Sequence, residues 1–213
     1  MKPYVVAMTG ASGVVYGVRF IQVLAEFGHS VSLIISEPAR LVIREELGIA
    51  LKSFTGQQAL EELVGSAASN VQAYSPRDFT APIASGSYPT HAMIIIPCSM
   101  GTLGAVASGI SQNLIHRAAD CVLKEGRKLV LVPRETPLHA IHLENMLKLA
   151  RMGARIVPAM PAFYAGSQSL QDMIDFIVGK VLDQLDLPHT LYPRWTGRLS
   201  TSVLQRQEVI QDE

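Results

Sequence analysis

The sequence lacks an excess charge of either sign, a long apolar run and a set of cysteines. Eighteen Lys and Arg balance eighteen Asp and Glu, so a nucleic-acid partner finds no bulk electrostatic support. Charged residues make up only 17% of the 213, below the roughly 25% usual for soluble domains. That scarcity points to surface buried between copies of the chain, a homo-oligomer. Cys98 and Cys121 are the only cysteines, which excludes a disulfide scaffold and suits a reducing cytoplasm. No apolar stretch reaches the about 18 residues that a membrane helix needs. The strand-like run Tyr4 to Met8 follows the N-terminus at once, with no signal peptide ahead of it. The expectation is a cytoplasmic protein with no membrane span.

What is present is a core. Hydrophobic residues are 48% of the chain, and the length suits one α/β domain with an appendage. Residues 1–185 form the expected domain and 186–213 a C-terminal arm that packs on a neighbouring subunit. The apolar spacing predicts strands at Tyr4–Met8, Ser30–Ile35, Val71–Tyr74, Ala92–Ile96, Lys128–Val132 and Arg155–Pro158. Helices are expected over Val14–Phe27, Ala39–Leu47, Gln57–Val64, Asn113–Lys124, His139–Met152 and Ser169–Leu185, with a helical turn at Leu103–Ser108. Gly28, Gly48 and Gly153 are the expected helix stops. Alternating strands and helices of these lengths predict a right-handed parallel sheet covered by helices. Ala92 to Ile96 reads as its most buried strand, stopped by Pro97, which has no N–H for the next rung.

Five groups of residues could carry chemistry. Gly10-Ala-Ser-Gly13, between the first strand and helix, lets a backbone approach a phosphate at a helix N-terminus; a tight turn without a ligand is the alternative. The spacing is not the dinucleotide G-x-G-x-x-G, and the second strand ends in Ser36 rather than an acid, which favours a mononucleotide. Arg117, Lys124, Arg134 and Glu135 lie in or beside apolar elements, as converging phosphate ligands or as surface ion pairs. Glu46, near the end of the second helix, reads from spacing as solvated, though a carboxylate facing the cleft could handle a proton. His139 and His142 sit one turn apart, but Glu144 is off their face, so no metal site is expected. Cys98 has no neighbouring base and reads as packing beside Pro97.

Read together, Gly10–Gly13, Ala84-Ser-Gly-Ser87, Pro97–Thr102, Asn113–Asp120, Val132–Glu135, His142–Met146 and Pro158–Tyr164 resemble the flavin prenyltransferase family of the UbiX type. The resemblance covers nearly the whole chain. It implies a flavodoxin-like, Rossmann-type fold, usually assembled as a dodecamer. It implies an enzyme that joins the dimethylallyl group of dimethylallyl phosphate to N5 and C6 of reduced FMN, without a metal. The prenylated FMN would serve a UbiD-type decarboxylase, in ubiquinone biosynthesis or aromatic-acid decarboxylation. By resemblance FMN falls to Gly10, Ala11, Ser12, Ser36, Ser99, Met100, Gly101, Thr102 and Arg134. The donor falls to Arg117, Lys124, Tyr164 and Lys180, with Glu135 beside its phosphate and Tyr164 and Trp195 as shielding aromatics. Ser12 and Glu46 match the pair that manages protons at the flavin. Lys180 stands where many relatives have arginine, which puts phosphate affinity in question. Two rival readings share the FMN fold: a decarboxylase of a cysteinyl substrate, and a non-catalytic FMN carrier. The first would use a histidine in the first helix, which has none.

Overall fold

Five residues with no charge among them, Tyr4–Met8, form β1 and are all buried. The computed structural model describes residues 2–51, 55–163, 169–195 and 197. Two compact units divide the chain, Met1–Ala159 and Met160–Glu213.

The first unit holds the whole sheet. Its strands are β1, β2 (Val31–Ile35), β3 (Val71–Tyr74), β4 (Ala92–Cys98), β5 (Lys128–Pro133) and β6 (Arg155–Ile156). All pairings are parallel, in the order β3-β2-β1-β4-β5-β6. Helix α1 (Val14–Glu26) lies against one face, and α4 (Met100–Ala107) and α5 (Leu114–Lys124) against the other. Strands covered on both sides have no reason to alternate apolar with polar, and β1, β2 and β4 are buried at every position. On one face Val5, Ala7, Met93, Ile95, Leu129 and Leu131 meet Leu103, Ile115 and Val122 of α4 and α5. Each fully buried aliphatic side chain there contributes about 1.5–3 kcal/mol. The remaining helices of this unit are α2 (Glu37–Leu47), α3 (Gln57–Val64) and α6 (Ala140–Arg151).

On the opposite face α1 comes unusually close to the sheet. A Cβ on Gly17 would stand 2.5 Å from the Ile96 carbonyl oxygen and 3.0 Å from Cε of Met8. Gly17 costs helix propensity, about 1 kcal/mol against alanine, and is kept by this approach to a backbone atom that cannot move aside. Gly17→Ala is therefore expected to destabilise the fold by about 1–3 kcal/mol despite its better propensity. Denaturant unfolding would read the loss, and an unchanged midpoint would contradict it.

The central strand departs from expectation. It does not stop at Pro97 but runs to Cys98, with a cis Ile96–Pro97 peptide and a register irregularity between Ile95 and Cys98. Proline lacks a donor, yet its carbonyl still serves the sheet edge. It accepts the Thr9 N–H at 3.2 Å and the Thr9 hydroxyl at 2.9 Å. Residues 81–88 run partly inside the molecule: Pro82–Ala84 forms a 3₁₀ turn, and Ala81 and Ile83 join the core.

The second unit contains α7 (Leu170–Gln184). It starts with a capping box: the Ser169 hydroxyl accepts from the Asp172 N–H at 3.1 Å, and the Asp172 carboxylate accepts from the Ser169 N–H at 3.0 Å. Among the described residues, no helix is long and apolar enough to cross a membrane.

Candidate functional site

In a doubly wound sheet the crevice opens at the carboxyl ends of the strands where the order reverses. Here that point lies between β1 and β4, because β1 continues outward to β2 and β4 to β5. The loops after β1, β2, β4 and β5 carry Gly10–Ser12, Ser36, Ser99–Thr102 and Arg134–Glu135 in turn. The sheet therefore gathers onto one edge most of the residues assigned by sequence to the flavin.

Each loop is built so that a helix starts at this edge. Ser36 caps α2, its Oγ accepting from the Ala39 N–H at 3.2 Å, and Ser99 caps α4, accepting from the Thr102 N–H at 3.4 Å. The Ser99 and Thr102 hydroxyls lie 3.1 Å apart. Gly10 is required because a Cβ there would sit 2.5 Å from Cβ of Pro38 in α2. Gly13, at φ 97°, adopts a left-handed conformation that turns the chain into α1. Helix N-termini and loop amides on one edge fit a phosphate-bearing ligand such as FMN.

The N-terminus of α1 already holds an anion, and that anion is Glu46. Its carboxylate accepts from the Gly13 N–H at 2.9 and 3.1 Å and from the Val14 N–H at 3.2 Å. Spacing put Glu46 in solvent, and the residue is exposed, but its carboxylate is held in place at the residue after Ser12. Arg134 closes the patch by donating from Nε to the Ser12 carbonyl at 3.3 Å. Glu135, next to it, accepts from the Thr136 N–H at 3.0 Å.

Two residues of this edge were not picked out from the sequence. Thr9 is buried and bridges the loops: besides its bonds to Pro97, its Oγ1 accepts from the Ser99 N–H at 2.8 Å. Its only signal was a hydroxyl directly after β1. Tyr16 is the other. Burial pushes its phenol up, with Arg134 and Glu46 acting on it in opposite senses, so the three groups share one electrostatic patch. Its ring also lies against Gly13, where a Cβ would meet it at 2.8 Å.

The four charged residues read together from spacing do not converge within one chain. Arg117 donates to the Ala84 carbonyl at 2.9 Å and to Asp120 at 3.0 Å. Lys124 pairs with Glu125 at 2.9 Å, and both cations act on the Cys121 thiol, whose value burial raises. Lys124 ends α5 just before β5 begins, whereas Arg134 follows its end. The six residues of β5 put about 17–20 Å between them. Lys180 lies on α7 in the second unit, and Tyr164 falls outside the described residues. His139 and His142 stack with ring centroids 3.5 Å apart. Among the described residues no group of three or more His, Cys, Asp or Glu could hold a metal.

Cys98 is fully buried, and desolvation pushes its thiol up to about 12. Such a group is a thiol, not a nucleophilic thiolate, at neutral pH. With Cys121 buried as well, the folded protein should react with neither iodoacetamide nor a disulfide reagent at pH 7.5. Rapid labelling of Cys98 without unfolding would contradict this.

A parallel doubly wound sheet with small-residue loops and helix N-termini at its switch point defines a nucleotide-binding α/β protein. The Flavoprotein family model matches residues 1–182. The chain is 52% identical over 192 residues to flavin prenyltransferase UbiX of Halalkalibacterium halodurans, covering 90% of this chain and 92% of that one. Its fold superposes on AnUbiX in complex with FMN and dimethylallyl pyrophosphate, with TM-score 0.81 and 40% identity over 92% of this chain and 98% of that one. It also matches a dodecameric FMN-dependent UbiX-like decarboxylase from Escherichia coli O157:H7, with TM-score 0.80 and 44% identity over 92% and 100%. The chain belongs to the UbiX family of flavin prenyltransferases.

Proposed function

We propose that this protein transfers the dimethylallyl group of dimethylallyl phosphate to N5 and C6 of reduced FMN, releasing inorganic phosphate. The observation that carries the reading is the patch of Ser12, Glu46 and Arg134 tied together at the β1/β4 switch point. Reduced FMN supplies the nucleophilic ring; the chain supplies everything around it. The loop amides and Gly10, Ala11, Ser12, Ser36, Ser99, Met100, Gly101, Thr102 and Arg134 hold the flavin. Glu46 and Ser12 take up and return protons, since Glu46 is the fixed carboxylate beside the cradle. Arg117, Lys124, Lys180 and Tyr164 bind the donor, with Glu135 at its phosphate. Fixed positive charge on a departing phosphate stabilises its leaving without a metal.

Because β5 separates Lys124 from Glu135, these two can meet on one donor only if another copy brings Lys124. The assembly is a homo-oligomer, proposed as a dodecamer with 186–213 packing on a neighbour. The exposed Ile141, Leu143 and Leu147 on α6 support an interface between copies. We place the protein in the cytoplasm, handing prenylated FMN to a UbiD-type decarboxylase. A carrier or a decarboxylase of cysteinyl substrates has no use for a second phosphate site. The test is activation: an apo-decarboxylase of the UbiD type should gain activity after incubation with this protein, reduced FMN and dimethylallyl phosphate. No activation with either the monophosphate or the pyrophosphate donor would sink the proposal.

A further inference from the structure

In the second unit, charged and titratable groups gather around one carboxylate that the proposed reaction does not use. Asp183, near the end of α7, is partly buried. Its Oδ1 accepts from Arg194 Nη2 at 2.7 Å and lies 3.1 Å from His189 Nε2. Its Oδ2 accepts from Arg194 Nη1 at 2.8 Å and from the Tyr192 hydroxyl at 2.5 Å. His189 Nδ1 accepts the Leu191 N–H at 3.2 Å, which leaves the ring proton on Nε2 to donate to Asp183. A carboxylate offers about four lone-pair sites, so these four donor atoms from three residues fill it. Gly179 allows the approach: a Cβ there would stand 2.6 Å from both His189 Cε1 and Tyr192 Cε1. Burial alone pushes the Asp183 carboxyl up, but the bonds from Arg194, Tyr192 and His189 outweigh it and hold the group well below the usual carboxylate range.

Lys180 lies one turn earlier on the same face of α7. Its Nζ is 3.7 Å from Asp183 Oδ2 and 5.9 Å from the Tyr192 ring centroid. That is close enough for charge attraction and too far for a hydrogen bond. Asp183 thus restrains the ammonium without taking any of its three donors.

We propose that Asp183 is a positioning residue that fixes Lys180 by charge while leaving its donors to the phosphate of the prenyl donor. The inference rests on the reading of Lys180 as a donor-phosphate ligand. A lysine on a flexible stem binds phosphate weakly unless its position is restrained. The His189–Tyr192–Arg194 strap supplies that restraint by anchoring the carboxylate.

The test compares Asp183→Asn, Lys180→Ala and the double variant, reading kcat, KM for dimethylallyl phosphate, FMN affinity and the unfolding midpoint. Asp183→Asn is expected to raise KM by about tenfold, with kcat and FMN affinity unchanged. The double variant should be no worse than Lys180→Ala, because Asp183 acts only through Lys180. Asp183→Glu keeps the charge and should recover most of the lost KM; it also serves if the asparagine variant fails to fold. An unchanged or lowered KM in Asp183→Asn, or additive losses in the double variant, would overturn the inference alone. Lys180→Ala with a normal KM would instead overturn the assignment of Lys180 on which it stands.

Discussion

Glu46→Gln should lower prenyl transfer by about 10²–10⁴-fold, the range that a positioned acid–base group contributes, while the protein still folds and binds FMN. Glutamine is nearly isosteric and can still accept the Gly13 and Val14 N–H groups that anchor the side chain. It loses the charge at the α1 N-terminus, worth about 0.3–1 kcal/mol, too little to unfold a domain. What it cannot do is take up a proton. A structural cap would therefore show in the unfolding midpoint, a proton acceptor in turnover. Single-turnover formation of the prenylated flavin, measured beside FMN affinity, separates the two. A variant that turns over at the parent rate would remove Glu46 from the reaction and leave it as a cap.

Lys124→Ala should be as damaging, by about 10²–10³-fold, the loss typical when one fixed group that stabilises developing charge is removed. The fold should not notice, because Lys124 is half-exposed and its pairing with Glu125 is a surface contact. FMN affinity should stay unchanged, since Lys124 lies at the far end of β5 from the flavin loops. The same separation makes a stronger claim. Glu46→Gln and Lys124→Ala subunits, each inactive alone, should recover activity when co-assembled, because some sites then take Glu46 from one chain and Lys124 from another. If both residues served from the same chain, no mixture could contain an intact site, and co-assembly would gain nothing.

The sheet was readable because its signals are local. Ala92 to Ile96 is apolar throughout, and the glycines at 28, 48 and 153 mark helix ends. The glycine, serine and arginine loops were readable for the same reason, each following directly on a strand. Pro97 was misjudged because missing an N–H excludes a donor, not an acceptor, and its carbonyl bonds to Thr9, 88 residues away in sequence. Glu46 is exposed as its spacing implies, but the hold on its carboxylate was not legible because its partners, Gly13 and Val14, lie more than 30 residues away in sequence. Spacing left the group of Arg117, Lys124, Arg134 and Glu135 open between phosphate ligands and surface ion pairs, because it does not show that a strand of nearly 20 Å runs between Lys124 and Arg134. The Asp183 cluster could not be anticipated either, since nothing in the spacing from Asp183 to Arg194 says that the chain folds back over Gly179.

The most direct measurement is the mass of the flavin itself. The protein is incubated without oxygen with reduced FMN and dimethylallyl phosphate, denatured, and the released flavin is weighed. The expected product is a flavin heavier by one five-carbon prenyl unit, formed with no added metal and not formed by Glu46→Gln on the same timescale. Unmodified flavin from protein that has demonstrably bound FMN, with the pyrophosphate donor also tried, would contradict it.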